Sequence, residues 1–290
     1  MEVIRAATAG FCMGVGLALQ KLEEALASDR PGARGRICTL GPIIHNPQVL
    51  AAFESRGVVC LNTIEEVKPG DMVLIRAHGI PLQVEEALKK KNVAIRDATC
   101  PKVKKAQLSI ARATANHAIM LIFGEAEHPE VRGLVSYAKG QAHIFEDENS
   151  LPRLDCCTEV QYVLASQTTQ DRNIFNAIKT RLQEKLPNMI VLDTICDATN
   201  ERQEEARQIA SRVDAMVIVG GKESGNTRRL ALVAQNCGIP AWHVETFQQL
   251  NIANFTGFRR IGLTAGASTP KCLIDETENW LGANLQPGAI

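Results

Sequence analysis

The sequence predicts an α/β protein made of three small α/β units with mainly parallel sheets, related by a pseudo-threefold repeat. Three observations carry that expectation. Short, nearly unbroken apolar runs alternate with helical patterns through all 290 residues, and strands apolar on both faces belong to parallel sheets covered by helices. Polar turns of three kinds recur in a fixed order. A chain of this length also accommodates two or three domains.

The elements follow in order. After Cys12, the residues Val15, Ala18, Leu19, Leu22 and Leu26 fall on one face of a helix. The runs at 58–61, 72–75, 119–122, 162–164, 190–192 and 216–219 read as buried strands. One turn series starts at Gly41, Gly124 and Gly220 (GPIIHNP, GEAEHPE, GGKESGN), with steps of 83 and 96 residues. A second (RAHG, SQTT, GAST) is marked by His78, Thr168 and Ser268, with steps of 90 and 100. A third ends in Cys12, Cys100 and Cys196, with steps of 88 and 96. The repeat divides the chain into units at 1–97, 98–193 and 194–281, with the tail 282–290 returning to the first, so that both termini fall in one unit.

Composition narrows the function. Lys+Arg and Asp+Glu both number 32 and aromatics are 4%. A neutral, aromatic-poor chain suits neither wrapping of nucleic acid nor an anionic membrane surface. No apolar run reaches the length of a membrane span, and Met1 to Arg5 open no signal peptide. The expectation is a cytoplasmic protein with no nucleic-acid or membrane partner.

Nine cysteines without an export signal argue against a disulfide framework. Cys38, Cys60, Cys237 and Cys272 lie in or beside apolar runs and read as small core residues. Cys156 and Cys157 read as a surface loop. Cys12, Cys100 and Cys196 stand at equivalent turns, one per repeat. Three thiolates suit a zinc site, a cysteine-based catalytic site or an iron–sulfur cluster with three protein ligands; no C-x-x-C pair provides the usual tight zinc spacing.

Ligands of open α/β sheets bind beyond the carboxyl ends of the strands. Pro47, Pro81, Pro101, Pro129 and Pro270 place His45, His78, Cys100, His128 and Ser268 at or just before helix N-termini. With Thr168, Ser224 and Asn226 these groups suit a compact anion such as phosphate or diphosphate. A satisfied structural role is the plainer reading of any single histidine. Lys222 and Arg76 read as solvated or paired. Glu130, in the first turn after Pro129, reads either as a capping carboxylate or as a proton relay.

The motifs AGFCMGV (9–15), GPIIHNP (41–47), RAHG (76–79), ATCPKV (98–103), EHPEVRG (127–133), SQTT (166–169), ICDATNERQ (195–203), SGN (224–226) and GAST (266–269) together resemble the IspH/LytB family. Those proteins are 4-hydroxy-3-methylbut-2-enyl diphosphate reductases, which catalyse the last step of the methylerythritol phosphate route to isoprenoids. The resemblance implies a trefoil around one [4Fe–4S] cluster, with Cys12, Cys100 and Cys196 as ligands and one open iron. It implies that the diphosphate lies among His45, His78, His128, Ser224, Asn226 and Ser268. Glu130 is implied as the proton-delivering carboxylate, with His128, Thr168 and Gln167 around it. Reduced ferredoxin or flavodoxin is implied as the electron donor. Many relatives carry two serines before the asparagine, whereas here Gly225 follows Ser224 and offers only its backbone N–H. An iron–sulfur dehydratase, a cluster-bearing redox sensor and a zinc protein are the competing expectations.

Overall fold

The structure is a computed structural model that describes residues 2–28, 35–152, 154 and 160–284. It opens with β1 (Glu2–Arg5), α1 (Met13–Ser28), β2 (Ile37–Leu40), α2 (Pro47–Glu54), β3 (Val58–Leu61), β4 (Met72–Ile75) and α3 (Leu82–Lys90). Next come β5 (Ala94–Asp97), α4 (Pro101–Ala113), β6 (Ile119–Phe123), α5 (Pro129–Ser136), β7 (Ala142–Phe145), β8 (Tyr162–Ser166) and α6 (Arg172–Lys185). The remainder is β9 (Ile190–Val191), α7 (Asp197–Ala210), β10 (Ala215–Val219), α8 (Gly225–Asn236), β11 (Ala241–Val244), β12 (Arg260–Ala265) and α9 (Lys271–Asn284). Every run read as a strand from the sequence contains one, but 190–192 is not the buried strand expected: β9 is only Ile190–Val191 at the sheet edge, with Ile190 39% exposed.

The strands form three four-stranded sheets, and every pair in them is parallel. Their orders are β3-β2-β4-β5, β7-β6-β8-β9 and, read in the same sense, β11-β10-β12-β1. The three orders are one topology repeated. The apolar runs are explained by burial on both faces. In β6, Leu121 and Phe123 pack with Phe175, Ile178 and Leu182 of α6, while Met120 and Ile122 pack with Ile110, Val131 and Leu134 of α4 and α5. In β10, Val217 and Val219 face Leu273 and Ile274 of α9, while Met216 and Ile218 face Ile209 and Leu230 of α7 and α8.

One boundary differs from the sequence division. Glu2–Arg5, expected in the unit 1–97, pairs instead with residues 260–263 as the fourth strand of the last sheet. The open edge of β12 supplies the parallel partner that this short strand needs, and Ala6 extends the ladder by donating to the Leu263 carbonyl (2.8 Å). Gly282 to Asn284, the described start of the tail 282–290, end α9, which packs on β1 and β12. The described residues divide into two compact units: one comprises residues up to Met13, His45–Val49 and those from Asp197 onward, and the other Gly14–Ile44 and Leu50–Cys196.

The cysteines divide differently from the expectation. Cys38 is buried in β2, whereas Cys60, Cys237 and Cys272 are exposed: the first on edge strand β3, the others at the end of α8 and the start of α9. An apolar neighbourhood in sequence did not place them in the core, because each sits on the outward side of its element. Cys156 and Cys157 lie outside the described residues. Among the described residues no helix is long and apolar enough to cross a membrane.

A buried ion pair joins the starts of β2 and β4. The Asp71 carboxylate, 2% exposed, accepts from the Arg36 guanidinium (2.7 and 3.2 Å), the Arg36 N–H (3.1 Å) and the Lys68 N–H (2.8 Å). Burial alone would raise its pKa; the Arg36 and backbone hydrogen bonds outweigh burial and hold it at about 2. Burial, with Asp71 nearby, pushes the Cys38 thiol up to about 11. A depressed carboxylate stabilises the fold above its unfolded-state pKa and loses that effect as pH falls through the folded value. Asp71→Asn is therefore expected to cost about 1.5–3 kcal/mol at pH 7. Urea denaturation should show the gap to wild type narrowing from about pH 4 and closing as pH passes below about 2; a gap still at its pH 7 size at pH 2 would contradict the assignment.

Candidate active site at the carboxyl ends of the central strands

In each sheet the two inner strands run side by side into polar turns. β2 and β4 lead to Gly41 and Arg76, β6 and β8 to Gly124 and Gln167, and β10 and β12 to Gly220 and Gly266. Parallel pairing puts both turns of a sheet at the same edge, so the periodic turn series has a structural cause. The prolines act as the sequence requires: Pro47, Pro101 and Pro129 are the first residues of α2, α4 and α5, and Pro81 and Pro270 immediately precede α3 and α9.

The fourth strand of each sheet leads to a cysteine: β5 to Cys100, β9 to Cys196 and β1 to Cys12. All three are half-buried, and none is in a disulfide. Each backbone N–H is fixed within its own unit: Cys12 donates to the Ala267 carbonyl (3.1 Å), Cys100 to Ala77 (2.9 Å) and Cys196 to Thr168 (2.9 Å). Cys100 caps α4.

Sequence reading passed over Gly14, the second residue of α1. A Cβ there would lie 2.4 Å from Cys100 Sγ, so the missing side chain is what leaves room beside that sulfur. A helical glycine close to a cysteine motif was the available signal. Thiols at strand-to-helix turns, one with space kept beside its sulfur, are the donor type that an iron–sulfur cluster takes.

Glu130 is 2% exposed. Its carboxylate does not cap its own helix. Instead Oε1 accepts from the Thr168 N–H (2.6 Å) and Oε2 from the Thr168 hydroxyl (2.9 Å). The Thr168 carbonyl in turn accepts from Cys196, so one residue touches both the acid and a cysteine turn. Helix α5 is capped by His128, whose Nδ1 accepts from the Glu130 N–H (3.1 Å). The His128 ring meets His78 edge to face at 5.6 Å. Gln167 is engaged at both ends of its amide: its carbonyl accepts from the Glu125 N–H (3.1 Å) and its nitrogen donates to Thr169 (3.1 Å), which makes it a brace between two turns.

The other compact unit carries the remaining polar candidates. Ser268 donates its hydroxyl proton to the His45 carbonyl (3.0 Å), fixing the His45 turn while keeping its oxygen lone pairs. Ser224 caps α8, accepting from Thr227 at its side chain (3.3 Å) and from Arg228 at its carbonyl (3.0 Å). Helix geometry then leaves the Gly225 and Asn226 amides directed out of the N-terminus. Asn226 is 5% exposed, and neither its amide nitrogen nor its carbonyl oxygen has a partner. An unsatisfied buried amide is costly, and at a helix N-terminus an anion is the group that relieves it. Lys222 is exposed; Arg76 lies against Gly41, donates to the Gly79 carbonyl (3.3 Å), and has its pKa lowered by burial.

Polar turns at the carboxyl ends of parallel strands are where open α/β proteins place their ligand sites. Residues 3–282 match the LytB protein family, and the chain belongs to that family. It is similar to the 4-hydroxy-3-methylbut-2-enyl diphosphate reductase of Desulfovibrio desulfuricans, 60% identical over 286 residues that cover 98% of this chain and 100% of the relative. Among solved structures it is similar to the E-1-hydroxy-2-methyl-but-2-enyl-4-diphosphate reductase of Plasmodium falciparum (TM-score 0.90, 29% identity, 99% of this chain and 89% of that one). It is also similar to an (E)-4-hydroxy-3-methyl-but-2-enyl diphosphate reductase described as the terminal enzyme of the non-mevalonate pathway (TM-score 0.69, 37% identity, 98% of this chain and 100% of that one). The chain is thus an enzyme of the oxidoreductase class.

Gly14 and Gly16 form a matched pair for testing the space beside Cys100. No atom lies within 4 Å of a Cβ at Gly16. Gly16→Ala is expected to stabilise the metal-free protein by about 0.5–1 kcal/mol through helix propensity. Gly14→Ala should cost about 1–3 kcal/mol through overpacking. Equal stabilisation of both in chemical denaturation would show that the space is not needed.

Proposed function

We propose that this chain reduces (E)-4-hydroxy-3-methylbut-2-enyl diphosphate to isopentenyl and dimethylallyl diphosphate, with a [4Fe–4S] cluster held by Cys12, Cys100 and Cys196. The balance is one substrate, two electrons and two protons giving one alkene diphosphate and water. When bound, the cluster supplies the electrons, one at a time from reduced ferredoxin or flavodoxin, and an open iron for the substrate hydroxyl. A reducing cytoplasm, where thiols persist, suits that ligand set.

The protein's own residues supply binding and protons. The diphosphate suits the α8 N-terminus, where the Gly225 and Asn226 amides, the Asn226 side chain and the Ser224 hydroxyl offer donors. His45, His78, His128 and Ser268 complete the proposed set. Gly225 lacks the second serine's hydroxyl and contributes its helix-terminal N–H alone. Thr168 and Gln167 act by holding the acid and its turn.

The observation that carries the proton assignment is the Glu130–Thr168–Cys196 connection. A hydroxyl can donate to a carboxylate or accept from a carboxylic acid, so Thr168 supports Glu130 in both protonation states. Removing a hydroxyl as water needs a proton at the departing oxygen, and forming the alkene needs another at carbon. Glu130 is a buried acid tied to a cysteine turn, and general acids act within hydrogen-bond reach of the reacting group.

Two measurements test the reading. Protein purified without oxygen should carry about four irons and four sulfides, the content of a single cube. Serine at Cys12, Cys100 or Cys196 should lose most of that iron while Cys38→Ser retains it, and turnover of the diphosphate should require added reductant. One equivalent of zinc with negligible sulfide, or reductant-independent turnover, would overturn it. Glu130→Gln keeps the side-chain shape and one acceptor for Thr168. It should retain the cluster and bind substrate normally, yet lose about 10²–10⁴-fold in turnover under excess reductant. A change confined to thermal stability would return Glu130 to a structural role.

A further inference from the structure

Residues 6–11 join β1 to Cys12 and belong to no helix or strand. Their backbone is held largely by two side chains of α7. The Glu205 carboxylate accepts from the Ala7 N–H (2.7 Å), the Thr8 N–H (2.9 Å) and the Thr8 hydroxyl (2.5 Å). The Arg202 guanidinium donates through Nη1 to the Thr8 carbonyl and through Nη2 to the Gly10 carbonyl (2.7 Å). Arg202 and Glu205 are three residues apart and so share a helix face. Arg202 is only 5% exposed. Burial would raise the Glu205 pKa, but the Thr8 and Ala7 hydrogen bonds outweigh it and hold the carboxyl below its ordinary value.

The two side chains have complementary tasks. An acceptor-only carboxylate takes the N–H groups, and a donor-only guanidinium takes the carbonyls. The rigid fork of arginine spans two carbonyls on residues two apart, which a lysine ammonium cannot reproduce with the same geometry. The bonds bracket the chain up to Gly10, whose φ of +111° makes it the freest joint in the segment, and Cys12 follows two residues later. Beyond this grip, the Cys12 N–H has its bond to the Ala267 carbonyl.

We propose that Arg202 and Glu205 are positioning residues for Cys12: together they aim its thiolate and limit its excursions, and so set the retention and electronic environment of the group it ligates. This rests on the reading of Cys12 as a cluster ligand. Groups that orient a metal ligand from behind are typically worth 10–100-fold in metal affinity. The grip is absent from the one-letter motif ICDATNERQ as a reason, yet it explains why an arginine is buried there.

The test uses full-length protein reconstituted with iron and sulfide, comparing wild type, Arg202→Met, Arg202→Lys, Glu205→Gln and Cys12→Ser. Arg202→Met should lose iron to a chelator about tenfold faster or more, with an altered electron paramagnetic resonance spectrum in the reduced state. Arg202→Lys should fall between it and wild type. Glu205→Gln, a gentler change that still accepts one bond, should show the same direction and serves if Arg202→Met does not fold. A lower melting temperature with wild-type iron release and spectrum in Arg202→Met, or in Glu205→Gln if it alone folds, would overturn the proposal and leave the cluster reading standing. Full iron and sulfide in Cys12→Ser would instead overturn that reading itself.

Discussion

Parallel pairing of the two inner strands in each sheet is the constraint from which the site follows. Hydrogen bonding of β2 to β4, β6 to β8 and β10 to β12 in the same direction obliges the turns after them to emerge at one edge. The fourth strand, also parallel, brings a cysteine turn to the edge of the same sheet. Helices must then cover both faces, which consumes the apolar residues and leaves the polar ones to the turns. Breaking the pairing would remove the common edge to which each sheet brings its turns.

Within that frame, function depends on how few bonds each group is given. Thr168 spends its N–H, hydroxyl and carbonyl on Glu130 and Cys196, so it is committed to holding others in place. Asn226 is the opposite case, buried with its amide unspent. Ser268 lies between them, giving its proton to the His45 backbone and retaining an acceptor. A committed brace, an unspent donor and a half-spent hydroxyl are three different investments, and composition alone does not separate them. Arginine and lysine are scarce on these turns, so the donors they offer are mainly helix N-termini and neutral side chains rather than fixed cations.

The sequence disclosed the sheets well because a strand buried on both faces is written as an unbroken apolar run, as in Met216–Val219. Turn positions were equally legible, since proline at a helix start and glycine after a strand are local requirements. Partnerships were not. The strand Glu2–Arg5 is four residues long and half-buried, and nothing in it specifies that its neighbour is β12. Cys60, Cys237 and Cys272 sit among apolar residues yet face outward, because neighbourhood in sequence does not fix the side of an element. The role of Glu130 also stayed open: a carboxylate in a first turn can cap its helix or reach elsewhere, and only the distance to Thr168 decides.

The placement of β1 bears on how the protein comes into being. Its partner strand is made much later, with Glu2 and Arg260 separated by 258 residues. A chain emerging in order from the ribosome can complete its two earlier sheets as it grows, but β1 must wait, unpaired, until residues 260–263 have emerged. Loop closure over such a span is slow relative to local folding. The turn that bears Cys12 therefore becomes ordered only once β12 and Ala267 are in place. A chain stopped before β12 would keep the strands that lead to Cys100 and Cys196 paired and leave the one that leads to Cys12 without its partner.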